Sequence, residues 1–263
     1  MPVKPTESVY QSEEYDLYRY KNGVLMKLYR SGADRSLVKK EYDKACAAVK
    51  AGAAEIEILD FVQFNERFGF LLSDRYGSSL TDLLVSAEDP DQVRSAAESL
   101  AREYARIHGI HVVLPCSADS ALSSDIRYNS FLSSEEKYRI LDLYYEMPRD
   151  VRICLGNPCT DHMLLSEGRI VFTDWCNSMT GHPLCDIAAL EVYLKYTDAP
   201  ISPDTRTSFL EAFFEAYFRD SDYERSMLDA FRLPIMVSLL YEMHSHLDRE
   251  SLLLDVKNAS RSS

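Results

Sequence analysis

Hydrophobic and polar residues follow a strand-like pattern in the N-terminal part of the chain. Residues 15–29, "YDLYRYKNGVLMKLY", carry aromatic and β-branched residues on both sides of Asn22-Gly23. Asn-Gly between two such runs is the strongest short-range signal of a β-hairpin. The runs "AEIEILDFVQFN" and "FGFLLSDRY" indicate two more strands, joined by a turn at Glu66-Arg67. We therefore expect the chain to begin with an antiparallel sheet.

One helix is predicted between these two pairs of strands, in the stretch "ADRSLVKKEYDKACAAVKAG". Ser36 is the expected N-cap of this helix, and Gly52 is the residue expected to end it. The apolar residues that recur near helical spacing are Leu37, Tyr42, Ala45 and Val49. One helix is therefore expected to follow the hairpin.

Beyond Gly77 the pattern becomes helical. In "DPDQVRSAAESLAREYARIHGI", Pro90 fits the first turn of a helix, where its missing N–H costs nothing. The apolar stripe of this helix consists of Val93, Ala97, Leu100, Tyr104 and Ile107. Residues 204–256 are also predicted to be helical, and "FLEAFFEAYF" within them is expected to lie in the core.

The order of these elements predicts an α+β protein in two parts. Residues 1–76 would form a small lobe of antiparallel strands with one helix. Residues 77–263 would form a mainly helical lobe, and a short connector near residues 73–77 would join the two. The sequence contains no internal repeat and no low-complexity segment.

The charge of the chain argues against a nucleic-acid partner. The 42 acidic and 29 basic side chains give a formal net charge of −13, which repels a phosphate backbone unless basic residues are segregated. The best basic cluster, Arg35, Lys39, Lys40 and Lys44, is expected to be a solvated helix face. No run of about 18 apolar residues and no apolar signal segment is present, so we expect a cytoplasmic protein without a membrane span.

Cysteines and histidines give no sign of a metal centre. The six cysteines lack C-x-x-C spacing in a chain too large to need disulfides, so reduced thiols are expected. Histidines pair at His108/His111 and His244/His246, but neither pair has cysteine or carboxylate partners at helical spacing. No structural zinc site is therefore expected.

Four stretches of the sequence have the spacing of a known family. They are "VLMKLYR" (24–30), "DRYGSSL" (74–80), "LAREYARIHGIH" (100–111) and "TDWCNSMTGHPLCDIAAL" (173–190). With the order of elements, they resemble the aminoglycoside phosphotransferase and choline kinase family of small-molecule kinases across nearly the whole chain. This resemblance implies a protein-kinase-like two-lobe fold.

The resemblance also implies residues that would bind ATP. Lys27 matches the strand lysine that steadies the nucleotide phosphates, and Glu41 matches the helix glutamate that pairs with this lysine. Asp74 and Tyr76 lie in the stretch that matches the hinge, whose backbone would hold an adenine. They are therefore candidates for cofactor binding.

Two aspartates match further positions of the family. Asp174 corresponds to the acid that binds magnesium. Asp186 corresponds to the aspartate at a helix start that braces the catalytic loop. Asp186 is expected to be buried and to accept hydrogen bonds from backbone N–H groups near residues 154–157.

The catalytic loop departs from the family pattern "H-G-D-x-x-x-x-N". Aligned on Gly156, the chain has Leu155 for the histidine, Asn157 for the catalytic aspartate and His162 for the metal-binding asparagine. An amide cannot accept a proton at neutral pH, and imidazole suits zinc and other transition metals better than magnesium. Asp161 is a possible substitute base, although a solvated turn aspartate is the simpler interpretation.

The loop that should cover the phosphates departs as well. The family joins its first strands by a glycine-bearing loop, but residues 1–22 contain no glycine. The corresponding stretch, "QSEEY", places Glu13 and Glu14 near the expected position of the nucleotide's negative charge. Each such like-charge contact opposes binding by roughly 1 to 4 kcal/mol.

Three functions remain open from the sequence. The first is a pseudokinase, or a very weak phosphotransferase, that binds ATP and Mg²⁺ poorly or binds no cofactor and serves a small molecule or a regulatory protein partner. The second is an active kinase that transfers the γ-phosphate of ATP to a hydroxyl of a small metabolite. The third, a metal-dependent hydrolase using His162 and Asp174, lacks enough ligands to make a site.

Overall fold

The computed structural model describes residues 7–12, 14–242 and 246–262. Its strands are β1 Glu7–Gln11, β2 Tyr15–Lys21, β3 Val24–Tyr29, β4 Ile58–Phe64, β5 Arg67–Ser73, β6 Ser78–Ser79, β7 Arg152–Cys154, β8 Met163–Ser166, β9 Arg169–Phe172 and β10 Met179–Gly181. Its α-helices are α1 Arg35–Lys50, α2 Leu80–Ser86, α3 Pro90–His108, α4 Ala118–Tyr128, α5 Ser134–Glu146, α6 Leu184–Tyr196, α7 Pro203–Arg219, α8 Asp229–Glu242 and α9 Arg249–Ser262.

The N-terminal sheet has five antiparallel strands in the order β1-β2-β3-β5-β4. The predicted hairpin is confirmed: β2 and β3 pair across Asn22-Gly23, and Gly23 adopts the positive φ of 72° that such a turn requires. The next turn lies one residue earlier than predicted, because Asn65 and Glu66 have positive φ and Arg67 already belongs to β5. With its helical C-terminal part, the protein has the expected α+β class.

Helix α1 forms where the sequence predicted it, but two details of the prediction are wrong. The N-cap is Asp34, whose side chain accepts the backbone N–H of Ser36, so Ser36 lies inside the first turn. Leu37 is 60% exposed, and the buried residues of the helix are Val38, Ala45 and Ala48. Ala45 of the predicted stripe is buried, and Tyr42 packs on Phe61 and Phe70 of the sheet, so the stripe was correct in part.

The helical part confirms the predicted core. All five residues of the α3 stripe are buried, and Pro90 begins the helix after the cap Asp89. Helix α7 packs against α3 and buries the predicted aromatic run, in particular Phe209, Phe213 and Tyr217. Among the described residues, no helix is long and apolar enough to span a membrane.

Two small sheets position the loops of the cleft. Strand β8 pairs with β6 and β9, and β7 pairs with β10. Only four residues separate the end of β5 at Ser73 from the start of β6 at Ser78, so the connector leads directly into the helical part. The domain boundary between residues 76 and 77 stays a prediction.

Gly69 provides a test of how tightly β5 fits against β3. A Cβ atom at this position would overlap the carbonyl oxygen of Lys27. We expect Gly69→Ala to lower the free energy of unfolding by about 3 kcal/mol, because the backbone must move to relieve this overlap. Urea unfolding would measure the loss, with Gly109→Ala as the control: Gly109 has an ordinary φ of −71° at a helix end. Equal stability of the two variants would contradict the expectation.

Candidate functional site

A cleft between the sheet and the helical part contains two adjoining cavities. The apolar cavity has a volume of about 330 Å³, and its walls include Leu17, Leu25, Ile58, Leu72 and Leu164. The polar cavity has a volume of about 280 Å³, and its walls include Ser12, Glu14, Glu41, Asn157, Asn177 and Glu242. Six residues line both cavities and are called the junction below: Tyr10, Tyr15, Lys27, His162, Asp174 and Cys176.

Lys27 and Asp174 form a buried ion pair in the junction. Nζ of Lys27 lies 3.5 Å from Oδ1 of Asp174 and donates a 3.2 Å hydrogen bond to Sγ of Cys176. Burial is the largest single influence and opposes ionisation of both groups, but their mutual attraction and the other polar neighbours together outweigh it. The pKa of Lys27 therefore lies above its ordinary value, and the pKa of Asp174 lies below its own.

Glu41 shares the polar cavity with Lys27 but has another partner. Its carboxylate accepts a hydrogen bond from the hydroxyl of Tyr29. Burial raises the pKa of Glu41, and the positive charge of Lys27 offsets this only partly. Among the described residues, Lys27 thus forms its ion pair with Asp174, and not with Glu41 as the resemblance implied. The carboxylate of Glu41 is bound instead by the hydroxyl of Tyr29 on β3.

The loop after β7 holds Asn157 by both ends of its amide. Oδ1 accepts the backbone N–H of Cys159 at 3.0 Å, and Nδ2 donates to Oδ2 of Asp174 at 3.3 Å. An amide oriented in this way is a donor toward the cleft. Asn157 therefore holds the carboxylate of Asp174 in place. It presents an N–H donor to Asp174 and not an atom that could accept a proton.

His162 and Asp161 lie on a short 3-10 turn, residues 160–162. Nε2 of His162 is 3.3 Å from the hydroxyl of Tyr15 and 4.0 Å from Oδ2 of Asp174. Burial lowers the pKa of His162 and favours the neutral imidazole. Asp161 lines the apolar cavity, whereas Asn157 lines the polar one. The role of Asp161 as a substitute base stays a prediction.

The connector borders the apolar cavity through Asp74 but not through Tyr76. Asp74 lines that cavity and forms an ion pair of 3.1 Å with Arg19. Tyr76 is 63% exposed, with the guanidinium of Arg19 6.0 Å from its ring centre. The role of both residues in holding a nucleotide stays a prediction.

The turn between β1 and β2 borders the polar cavity. Glu14 lies in its wall, on the side of the cleft where the sequence predicted an opposing negative charge. Glu13 lies outside the described residues. The walls of the polar cavity therefore carry three glutamates in addition to Asp174: Glu14, Glu41 and Glu242.

Asp186 accepts hydrogen bonds from the loop after β7, as predicted. It is 3% exposed in the first turn of α6, and its oxygens accept the backbone N–H groups of Leu155 at 2.6 Å and Gly156 at 2.9 Å. Nε2 of His108 lies 3.1 Å from the same carboxylate, and Nδ1 of His108 lies 2.8 Å from the hydroxyl of Tyr217. One buried network thus ties the loop to α3, α6 and α7.

The donor set at the predicted metal position does not fit magnesium. Mg²⁺ prefers six oxygen ligands, but His162 offers a nitrogen and Asp174 already faces an ammonium and an amide donor. Among the described residues, the three groups close enough to share a metal are His108, Cys154 and Asp186. The hydrogen bonds of His108 and Asp186 already engage these two side chains, so the group serves as a brace.

Sequence reasoning missed the aromatic side chains of the junction. The ring of Tyr15 lies over Lys27, with 3.9 Å between Nζ and the ring centroid. In the structure Leu17 lies opposite Lys27 and Tyr15 opposite Tyr29 on one face of the sheet. This pairing depends on a register shift between Arg19 and Lys21, which the turn at Asn22-Gly23 did not predict. The contacts of His108 with Asp186 and Tyr217 had no local signal.

The comparison with known proteins agrees with this frame of a kinase-like phosphotransferase. Residues 21–228 match the profile of the phosphotransferase enzyme family. The chain therefore belongs to that family, which confirms the resemblance found in the sequence. No curated relative matches the chain significantly.

Solved structures of aminoglycoside phosphotransferases have a similar fold. A thermostable mutant of APH(4)-Ia in its apo form aligns with a TM-score of 0.70 at 14% identity, covering 97% of this chain and 94% of that one. A ternary complex of such a mutant with AMP-PNP and hygromycin B aligns with a TM-score of 0.68 at 16% identity, covering 98% and 93%. APH(3'')-Id from Streptomyces rimosus aligns with a TM-score of 0.63 at 17% identity, covering 88% and 92%.

The hydrogen bonds of Asp186 to the loop after β7 can be tested by substitution. We expect Asp186→Ala to cost about 1 to 3 kcal/mol of stability, because it leaves two buried backbone N–H groups without an acceptor. Chemical denaturation would measure the change. Asp142→Ala on the exposed face of α5 is the control and should change stability by less than about 0.5 kcal/mol. A loss at Asp186 no larger than that of the control would argue against the brace.

Proposed function

We propose that this protein is a pseudokinase of the phosphotransferase family, which keeps the nucleotide cleft but transfers phosphate very slowly or not at all. The orientation of Asn157 carries this proposal. Asn157 stands at the position where the family motif has the aspartate that orients the acceptor hydroxyl. Its amide donates a hydrogen bond to Asp174. A positioned base contributes typically about 10² to 10⁴ to a rate, and the amide cannot replace it.

Neither Asp161 nor Glu41 supports a substitute for that base. Asp161 lines the other cavity, and Glu41 is engaged with Tyr29. Because the donor set of His162 and Asp174 does not fit magnesium, the proposal assigns no step to a bound ion. Among the candidate residues, Lys27, Asp74 and the apolar walls support nucleotide binding.

The second candidate function is an active small-molecule kinase. Its support is the retained pair Lys27–Asp174 and the family itself, in which the ternary complex of APH(4)-Ia contains AMP-PNP and hygromycin B. The glutamates of the polar cavity would suit a cationic, hydroxyl-bearing acceptor. Turnover measurements separate the two candidates, because an active kinase would consume ATP at about 1 to 100 per second.

Nucleotide binding is expected to be weak. Glu14 places a negative charge beside the cavity that would receive the phosphates, and the turn lacks backbone-exposing glycines. Thermal melts with millimolar ATP and Mg²⁺ should therefore shift little, and Glu14→Gln should increase the shift. A rise of many degrees for the unmodified protein, which requires ligand far above its dissociation constant, would refute this electrostatic argument.

Restoring the two family residues should restore activity. Asn157→Asp supplies a carboxylate of nearly the same shape, and His162→Asn supplies an oxygen ligand that magnesium accepts. We expect the double variant to hydrolyse ATP at least about tenfold faster than the unmodified protein, the low side of what a positioned base contributes. The readout is ADP release by the purified proteins without an acceptor, and the blank is Asp174→Ala.

Two results would count against this account. If the double variant binds ATP but remains at the rate of the blank, the loss of these two residues is not what silences the site. If the unmodified protein already turns over at kinase-like rates, another group serves as the base and the pseudokinase proposal is wrong.

A further inference from the structure

The side chain of Tyr15 fills the junction between the two cavities. Its ring centroid is 3.9 Å from Nζ of Lys27, and its hydroxyl is 3.3 Å from Nε2 of His162. The residue is 7% exposed and packs between Tyr10 and Tyr29, with ring centroids 5.8 Å apart on each side. Tyr15 therefore contacts both basic side chains of the junction at once.

Lys27 lines both cavities, but its ammonium is surrounded closely by protein groups. Its ammonium donates to Cys176, faces Asp174 and lies under the ring of Tyr15, and the residue is 4% exposed. A phosphate oxygen binds an ammonium at about 2.7 to 2.9 Å. A phosphate that binds Lys27 directly must compete with the contacts to Asp174, Cys176 and the ring of Tyr15. The ring of Tyr15 is the contact of these three that involves neither an ion pair nor a hydrogen bond of Lys27.

The position of Tyr15 affects nucleosides and nucleotides differently. The base and sugar of a nucleoside can use the walls of the apolar cavity, which include Leu17, Leu25, Ile58 and Leu72, without a contact to the ammonium of Lys27. A nucleotide must in addition pass its phosphates through the junction toward the polar cavity. There they meet the ring of Tyr15 and the surrounding carboxylates.

We propose that Tyr15 is a specificity residue, which makes the cleft select an uncharged nucleoside over its phosphorylated forms. The inference rests on the proposed function, because it takes the apolar cavity as the nucleoside site. It assigns the phosphate discrimination to one side chain of β2. Loss of the ring should open Lys27 to phosphate, whereas loss of the hydroxyl alone should leave the ring in place.

Titration calorimetry with adenosine, ATP and inorganic tripolyphosphate, in the presence of Mg²⁺, tests this assignment. The unmodified protein should bind adenosine at least about tenfold more tightly than ATP. Tyr15→Ala should tighten ATP and tripolyphosphate by at least about tenfold and reverse the preference for adenosine over ATP. Tyr15→Phe should keep the original preference. Tyr20→Ala, a matched change on the outward face of the same strand, should behave as the unmodified protein.

Three outcomes would overturn the inference. ATP binding as tightly as adenosine to the unmodified protein contradicts it without any variant, and leaves the nucleotide cleft intact. A folded Tyr15→Ala protein with unchanged ATP affinity also contradicts it, and Tyr15→Val gives the same test should the alanine variant not fold. If neither adenosine nor ATP binds the unmodified protein or the variants, the apolar cavity is not a nucleoside site and the proposed function fails with the inference.

Discussion

The buried ion pair of Lys27 and Asp174 is the contact on which the cleft depends. It joins β3 of the sheet to the segment that follows β9, with 3.5 Å between the charged atoms. Removing two charges from water costs several kcal/mol for each, so such a pair persists only when further donors and acceptors complete it. Here Asn157 and the backbone N–H of Cys176 donate to the carboxylate, and the ring of Tyr15 covers the ammonium.

The frame can persist without the catalytic residues because different groups hold it. Backbone N–H groups of Leu155 and Gly156 bind Asp186, and a backbone N–H binds Oδ1 of Asn157. These donors are backbone groups, so they are present whatever side chains stand at the family's histidine and aspartate positions. An asparagine keeps the acceptor oxygen that the loop needs at residue 157. The substitution therefore changes the chemistry of the loop at little structural cost, which explains why the spacing of the motif survives.

The sequence predicted those parts of the fold that depend on neighbours in the chain. The turn at Asn22-Gly23, the start of α3 at Pro90 and its apolar stripe are local features, and all are confirmed. The bond between Tyr15 and His162 joins residues 147 positions apart, and that between His108 and Asp186 spans 78. No local pattern encodes such contacts. Only the family resemblance placed Asp186 correctly, and it could not foresee that Tyr15 would cover Lys27.

Asn157 and His162 are consistent with each other in the charge that they leave beside Lys27 and Asp174. With an aspartate at residue 157, two carboxylates would face each other across the position that Asn157 and Asp174 now share, and a cation would be needed between them. The amide removes one negative charge and adds a donor, so Lys27 alone balances Asp174. The neutral His162 then adds no charge, and its bond to Tyr15 holds the aromatic ring over the ammonium. The groups of the junction thus satisfy one another, and a charged ligand that binds Lys27 must compete with these contacts, whereas an uncharged one need not.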